Sequence, residues 1–201
     1  MGRLVIVSNR VAVPRSGRRA PGGLAIGLMA ALNESGGLWF GWSGEVTDAV
    51  PVKVHTLEQD GISFATVPLS AHDYRGYYRG YANRVLWPLF PTQLHRVEFQ
   101  RQDLLAYERV NKQLARRLTS LLKAEDIIWA HDYHLIPLAS ELRRLKVHQP
   151  IGFFLHIPFP PYEVLRTLPG HEDLLRWLCA YDLLGFQTEL DCFQSDRCLG
   201  D

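Results

Sequence analysis

A doubly wound, mostly parallel α/β sheet is the fold this sequence predicts, and three observations carry that expectation. Strand-like and helix-like stretches alternate along the 201 residues, the pattern of crossover units rather than of a block of strands followed by a block of helices. Three short apolar runs each end in polar chemistry: Leu4–Val7 leads into Ser8-Asn9-Arg10, Asp126–Trp129 into His131-Asp132-Tyr133-His134, and Ile151–Leu155 into His156, followed by Pro158 and Pro160-Pro161. A composition of 47% hydrophobic and 21% charged residues fits one globular chain with a single sizeable core. In such a sheet, ligands bind beyond the carboxyl ends of the strands, so the residues just past these runs are expected to meet in one cleft.

Each element follows from local pattern. Leu4–Val7 is apolar, β-branched and short enough for a buried strand, and after Gly22-Gly23 the residues Leu24, Leu28, Ala31 and Leu32 recur at helical spacing. Trp39-Phe40-Gly41-Trp42 reads as a strand. Asp60-Gly61 reads as the turn of a hairpin between Val52–Leu57 and Ile62–Val67. The stretch 71–90, aromatic and rich in Gly, Arg and Asn, reads as a short helix plus loop. From about Gln102 to Lys123, Leu104, Tyr107, Val110, Leu114, Leu118 and Leu121 step along one face of a long helix whose other face is charged. Ile127–Trp129 is the next strand. A helix with Leu135, Leu138, Leu142 and Leu145 in register follows, with Pro137 tolerable only in its first turn, which sets His131 and Asp132 at a helix entrance. Ile151–Leu155, a helix from about His171 to Tyr181 and the short strand Leu183–Phe186 complete the alternation. The stretch Thr188–Asp201 is helix-compatible, with nothing after it to pack against.

A formal net charge of +1 gives no global pull toward nucleic acid or a membrane surface, so anion recognition must be local. Arg3, Arg10, Arg15, Arg18 and Arg19 all precede the first acidic residue, Glu34. Arg15, Arg18 and Arg19 read as a solvated loop, whereas Arg10 directly follows a strand. Cys179, Cys192 and Cys198 have neither metal-pair spacing nor the even count of a disulfide framework, which favours a reduced intracellular chain, and Cys179 reads as core. No apolar stretch approaches the roughly 20 residues a membrane span needs, and the N-terminus enters a strand without a signal peptide, so the cytoplasm is the expected location.

Several residues have a chemical reading beside a bland one. Gly22-Gly23 lets backbone amides approach a phosphate or sugar at a helix N-terminus, or is a plain flexible loop; it lacks the third glycine of the dinucleotide fingerprint. Asp132 suits sugar hydroxyls or a base role, because a partly buried carboxylate needs donors. His131, Asp132 and His134 could instead ligate a metal, although their spacing is not the i, i+4 pair of the commonest zinc motif, and His134 reads best as a satisfied polar residue. His156 either donates to a substrate hydroxyl or is a core histidine held by a backbone carbonyl; the prolines after it stiffen an open loop and favour the first. Tyr78 and Trp87 either stack on a sugar or pack. Neither a Ser-His-Asp nor a Cys-His elbow is visible.

Taken in order, LVIVSNRV, GGLAIGL, GGLWFGWSGE, VLWPLF, AHDYHLIPLASELRR, IGFFLHIPFP and YDLLGFQTE resemble the trehalose-6-phosphate synthase family across nearly the whole chain. The resemblance implies a Rossmann-like sheet forming the N-terminal half of a two-domain glycosyltransferase B architecture. Residues 1–201 would then be an incomplete acceptor-binding domain without its nucleotide-sugar partner domain. It implies transfer of glucose from UDP-glucose to glucose-6-phosphate with retention. Arg10 would hold the acceptor phosphate, with Tyr78 and Trp87 around it and Trp42 at the border. Gly22 and Gly23 would approach the donor diphosphate, Asp132 the acceptor hydroxyls, and His156 the donor glucose near the reacting centre. The resemblance implies no metal and no cofactor, UDP-glucose being a substrate, and leaves room for a homo-oligomer. The uridine pocket and the Arg and Lys that neutralise the leaving diphosphate belong to the family's second half, so this chain alone is expected to bind glucose-6-phosphate weakly and to turn over negligibly. Three competitors stand beside this: a metal-dependent hydrolase using His131, Asp132, His134 and His156, a non-catalytic sugar-phosphate-binding module, and a related glycosyltransferase with another sugar-phosphate acceptor.

Overall fold

The computed structural model describes residues 2–13, 23–48 and 53–200. Gly22, Arg15, Arg18, Arg19 and Val52 lie outside them. Seven strands form one sheet in the order β3-β4-β2-β1-β5-β6-β7: β1 (Leu4–Arg10), β2 (Gly37–Val46), β3 (His55–Gln59), β4 (Ile62–Leu69), β5 (Ile127–His131), β6 (Ile151–Phe154) and β7 (Leu183–Gly185). Every pairing is parallel except β3 with β4. The chain builds outward from β1 to β2 and β4, then returns to lay β5, β6 and β7 on the other side. The reversal falls between β1 and β5, and such a switch point opens a crevice at the strand carboxyl ends. Arg10, His131-Asp132 and His156 all leave strands there.

The alternation of side chains along each strand divides the core in two. Ile6, Trp39, Ile62 and Phe64 face α1 (Gly23–Ser35), which buries Ala25, Leu28 and Leu32 against them, while Leu24 stays exposed. Val5, Val7, Phe40, Ala130 and Phe153 face the opposite way into the larger core. There α4 (Arg101–Thr119) buries Tyr107, Val110, Leu114 and Leu118 as its spacing predicts, each side chain contributing about 1.5–3 kcal/mol. Beside it pack α5 (Leu138–Arg144), entered through Pro137, and α7 (His171–Leu178), with α6 (Tyr162–Leu165) following the proline loop.

The structure corrects the sequence reading at three places. The first hairpin strand runs His55–Gln59, because the Asp60-Gly61 turn pairs Gln59 with Ile62 and carries the register back only to His55. The stretch read as short helix plus loop is helical from Ala71 to Leu89: α2 (Ala71–Asp73, capped by the Ser70 hydroxyl), a π-helix (Tyr74–Leu86) and α3 (Trp87–Leu89). Cys179 is exposed, since Leu174 and Leu178 are the buried residues of α7 and Cys179, just past its end, falls one position off their stripe. The stretch read as helix-compatible forms the last helix, α8 (Glu189–Leu199), which packs on earlier elements: Thr188 caps it, Asp191 accepts from the Phe159 amide at 2.9 Å, and Cys198 enters the main core.

The π-helix lies close against α4, and Gly76 makes that approach. A Cβ there would meet the Cβ of Ala106 at 2.5 Å. Glycine to alanine in a helix ordinarily gains up to about 1 kcal/mol, but here overpacking reverses the sign and Gly76→Ala should cost roughly 1–3 kcal/mol. Urea midpoints check this against Gly27→Ala in α1, where a Cβ meets nothing within 4 Å. Equal or greater stability of Gly76→Ala would show that the two helices can separate at no cost.

Candidate active site

Arg10 is placed by a break in strand pairing. Val5 to Ser8 pair in step with Leu38 to Gly41, but Arg10 then pairs with Trp42, and such an irregularity re-aims a side chain. Ser8 locks the bend, its hydroxyl donating to the Arg10 carbonyl at 3.0 Å and accepting from Trp39 Nε1 at 2.8 Å. The guanidinium lies 6.0 Å from the Trp42 ring and above Gly44, whose φ is +85°. A Cβ on Gly44 would sit 2.6 Å from Arg10 Nε, so the missing side chain is the seat of the guanidinium. Arg10 is exposed and has no carboxylate partner among the described residues. A cation held on an aromatic face without a counter-ion is open to an anionic ligand.

Just past the neighbouring strand β5, Asp132 adopts φ +76°, a conformation that costs free energy and concentrates at functional positions. Its Oδ1 accepts from the amides of Tyr133 at 3.1 Å and His156 at 3.3 Å, and its own amide donates to the Phe154 carbonyl at 2.8 Å. These bonds fasten the ends of β5 and β6 together. Burial pushes the Asp132 carboxyl up to about 6, with the two amides pulling the other way. His156 is half-buried, its Nε2 3.0 Å from His131 Nδ1, so the partner of its ring is a second imidazole rather than a backbone carbonyl.

A continuous aromatic wall closes one side. Trp42 touches Tyr78 at 5.4 Å between ring centres, Tyr78 stacks on His134 at 5.8 Å, His134 on Tyr133 at 4.0 Å, and Tyr133 meets Trp87 at 5.7 Å. Asn83 braces it, donating to the Tyr78 carbonyl at 2.7 Å and accepting from the Tyr133 hydroxyl at 3.3 Å. Trp87 is 51% exposed, available for stacking rather than packed away. His134 corrects the reading of it as a satisfied polar residue: it is buried with neither ring nitrogen hydrogen-bonded, and burial holds its pKa down at about 3. It serves as a flat neutral surface behind Tyr78.

Arg10, Asp132 and His156 thus stand at the carboxyl ends of three adjacent strands, and Trp42, Tyr78 and Trp87 are linked through one run of ring contacts that touches Arg10 at one end. Gly23 opens α1 and is exposed, with open space where a Cβ would go. Sequence reasoning missed Asn83, Gly44 and the pairing of His131 with His156. Only His131 carried a signal, as the first polar residue past an apolar run. No group of three or more His, Cys, Asp or Glu gathers as a metal site among the described residues. In particular His131, Asp132, His134 and His156 do not converge: Asp132 turns to backbone amides and His134 into the aromatic wall. A cavity of about 410 Å³ adjoins Trp87 and Asn83, lined also by Arg84, His95, Arg96 and Glu98, and reaches none of the strand-end residues. No helix among the described residues is long and apolar enough to cross a membrane.

Comparison with known proteins agrees with the fold. The sequence model of glycosyltransferase family 20 matches residues 3–194. A trehalose-6-phosphate synthase of Enterobacter sp. is 52% identical over 191 residues, covering 95% of this chain and 40% of the relative. An α,α-trehalose-phosphate synthase (UDP-forming) from Burkholderia xenovorans, solved in complex with glucose-6-phosphate, superimposes with a TM-score of 0.91 at 49% identity, over 96% of this chain and 42% of that one. A trehalose-6-phosphate synthase from E. coli bound with UDP-2-fluoro glucose gives 0.92 at 49% identity, over 99% and 43%. The chain spans about two fifths of the length of the curated relatives it matches.

Proposed function

The chain belongs to glycosyltransferase family 20, and on that premise we propose that it is the acceptor-side part of an α,α-trehalose-phosphate synthase that transfers glucose from UDP-glucose to glucose-6-phosphate with retention. The observation that carries the reading is the polarity of the cleft: an unpaired guanidinium at one strand end, a partly buried carboxylate at the next and an aromatic wall beside them. That is the complement of a sugar phosphate. Arg10 holds the phosphate with Tyr78 and Trp87 around it and Trp42 beneath, and Asp132 accepts hydrogen bonds from the sugar hydroxyls. His156 meets the donor glucose, and Gly22 and Gly23 present amides to the donor diphosphate.

The acceptor oxygen forms the new bond to the anomeric carbon on the face from which UDP leaves, and the departing phosphate oxygen takes the acceptor proton. This chain's residues contribute by position and charge rather than by a covalent intermediate. UDP-glucose enters as substrate, and no cofactor is needed for the step.

Thermal unfolding tests the reading. Glucose-6-phosphate at about 100 times its dissociation constant should stabilise the chain by roughly 2.7 kcal/mol, a shift of a few degrees, while glucose at the same concentration should give much less. A chain that melts cooperatively with no shift in glucose-6-phosphate would refute the acceptor site. Release of UDP by this chain alone at an ordinary enzymatic rate would refute the assignment to the acceptor part.

A further inference from the structure

We infer that His131 is a positioning residue that fixes His156 as its Nδ1-protonated tautomer and so decides which ring nitrogen is free to donate toward the donor sugar. The inference rests on the proposed role of His156 for its meaning, but not for its geometry.

His131 is the last residue of β5 and His156 lies two residues beyond β6, the strand paired with it. His131 Nδ1 and His156 Nε2 are 3.0 Å apart, and the two rings stack at 5.3 Å with an angle of 26°. Each ring is also held from its own strand, His131 by Trp129 at 4.3 Å and His156 by Phe154 at 4.7 Å. Both imidazoles are neutral near pH 7. Burial, and then the nearby His156, carry His131 down to about 3, and burial also lowers His156. A bond between two neutral rings needs one N–H and one lone pair.

The direction follows from the other nitrogen of His131. Its Nε2 is buried and has no hydrogen-bond partner. Were His156 the donor, the His131 proton would sit on that Nε2, leaving a buried N–H unbonded, which folded proteins avoid more strictly than an unbonded lone pair. His131 therefore donates from Nδ1, His156 accepts at Nε2, and the His156 proton is on Nδ1. That atom makes no hydrogen bond within the described residues and is the one ring donor left for a ligand. Setting a tautomer through the opposite nitrogen is how histidines elsewhere are prepared to bind or ligate.

Two-bond 1H–15N correlation spectra of the histidine-labelled chain read the tautomer directly. His156 should show a protonated, pyrrole-like Nδ1 and a bare Nε2 in the free protein. A protonated Nε2, or averaged signals, overturns the inference. His131→Asn keeps a donor near the Nδ1 position and should preserve the single tautomer; His131→Phe keeps the ring and removes the donor, and should leave His156 averaging between both. A His156 that remains wholly Nδ1-protonated in His131→Phe also overturns it. If that variant does not fold, the wild-type and Asn spectra still decide. Because no substrate is present, failure of the donor-sugar reading leaves the tautomer result standing, and the reverse holds equally.

Discussion

Arg10→Ala should abolish the stabilisation that glucose-6-phosphate confers while leaving the free protein's unfolding almost unchanged. The two halves of that expectation have separate causes. Arg10 is exposed and without a carboxylate partner among the described residues, so its removal falls in the class of surface substitutions that move stability by no more than about 0.5 kcal/mol. Against a bound phosphate it would supply charge-assisted hydrogen bonds in fork geometry, worth about 1.5–3 kcal/mol each. Losing even one such pair weakens binding by roughly a hundredfold, since 1.4 kcal/mol is tenfold. The shift of a few degrees should then disappear at the same ligand concentration. Gly44→Ala is the companion variant: it keeps the charge but puts a Cβ 2.6 Å from Arg10 Nε, at a backbone conformation that costs a non-glycine residue about 1–2 kcal/mol. It should weaken binding and also lower the melting temperature. Calorimetric titration of glucose-6-phosphate into the three proteins checks both, and an unaltered affinity in Arg10→Ala would remove the phosphate from the end of β1.

The sheet was legible because its signals are local. Apolar runs bounded by polar residues locate β1, β5 and β6, and helical spacing locates α1, α4, α5 and α7, so the placing of Arg10, Asp132 and His156 at the carboxyl ends of adjacent strands followed from topology alone. The stretch carrying Tyr78, Asn83 and Trp87 was not legible, for two reasons. Gly76 and Gly80 argue against a helix until a close neighbour explains them, and the hydrogen bonding there is of the rare i→i+5 kind, as in the Trp87 amide to the Ala82 carbonyl. That width matters for the site. Nine positions separate Tyr78 from Trp87, which is two and a half α-helical turns at about 3.6 residues each and would put them on opposite faces. The wider turn brings the same interval to roughly two full turns, and both rings join one wall. The pairing of His131 with His156 was illegible for another reason. It depends on two strand ends meeting in register, which no spacing along the chain encodes.

Asp132→Asn should make the free protein more stable at pH 7 while weakening its hold on glucose-6-phosphate. The carboxyl is raised to about 6 in the fold, chiefly by burial, against about 3.9 in an unfolded chain. Between those values the folded state binds the extra proton, so stability falls as pH rises from about 4 through 6 and stays reduced above. Two units correspond to roughly 3 kcal/mol, an upper bound because the site is partly open to water. Asparagine carries no charge to desolvate, can accept the same two amide hydrogen bonds through its oxygen, and tolerates the positive φ. The gap between variant and wild type should therefore be near zero at pH 4, open through pH 6 and level off by pH 7. Urea unfolding at those pH values measures it. A pH-independent gap, or a less stable variant at pH 7, would show that the carboxylate is not the strained element of the cleft. The acceptor reading adds the second half: sugar hydroxyls would add donors to the two amides the carboxylate already has, each bond to the charged group worth about 1.5–3 kcal/mol. The ionised, largely buried Asp132 is then a cost carried by the free protein and relieved by the ligand, which is the usual exchange of stability for function at such a site.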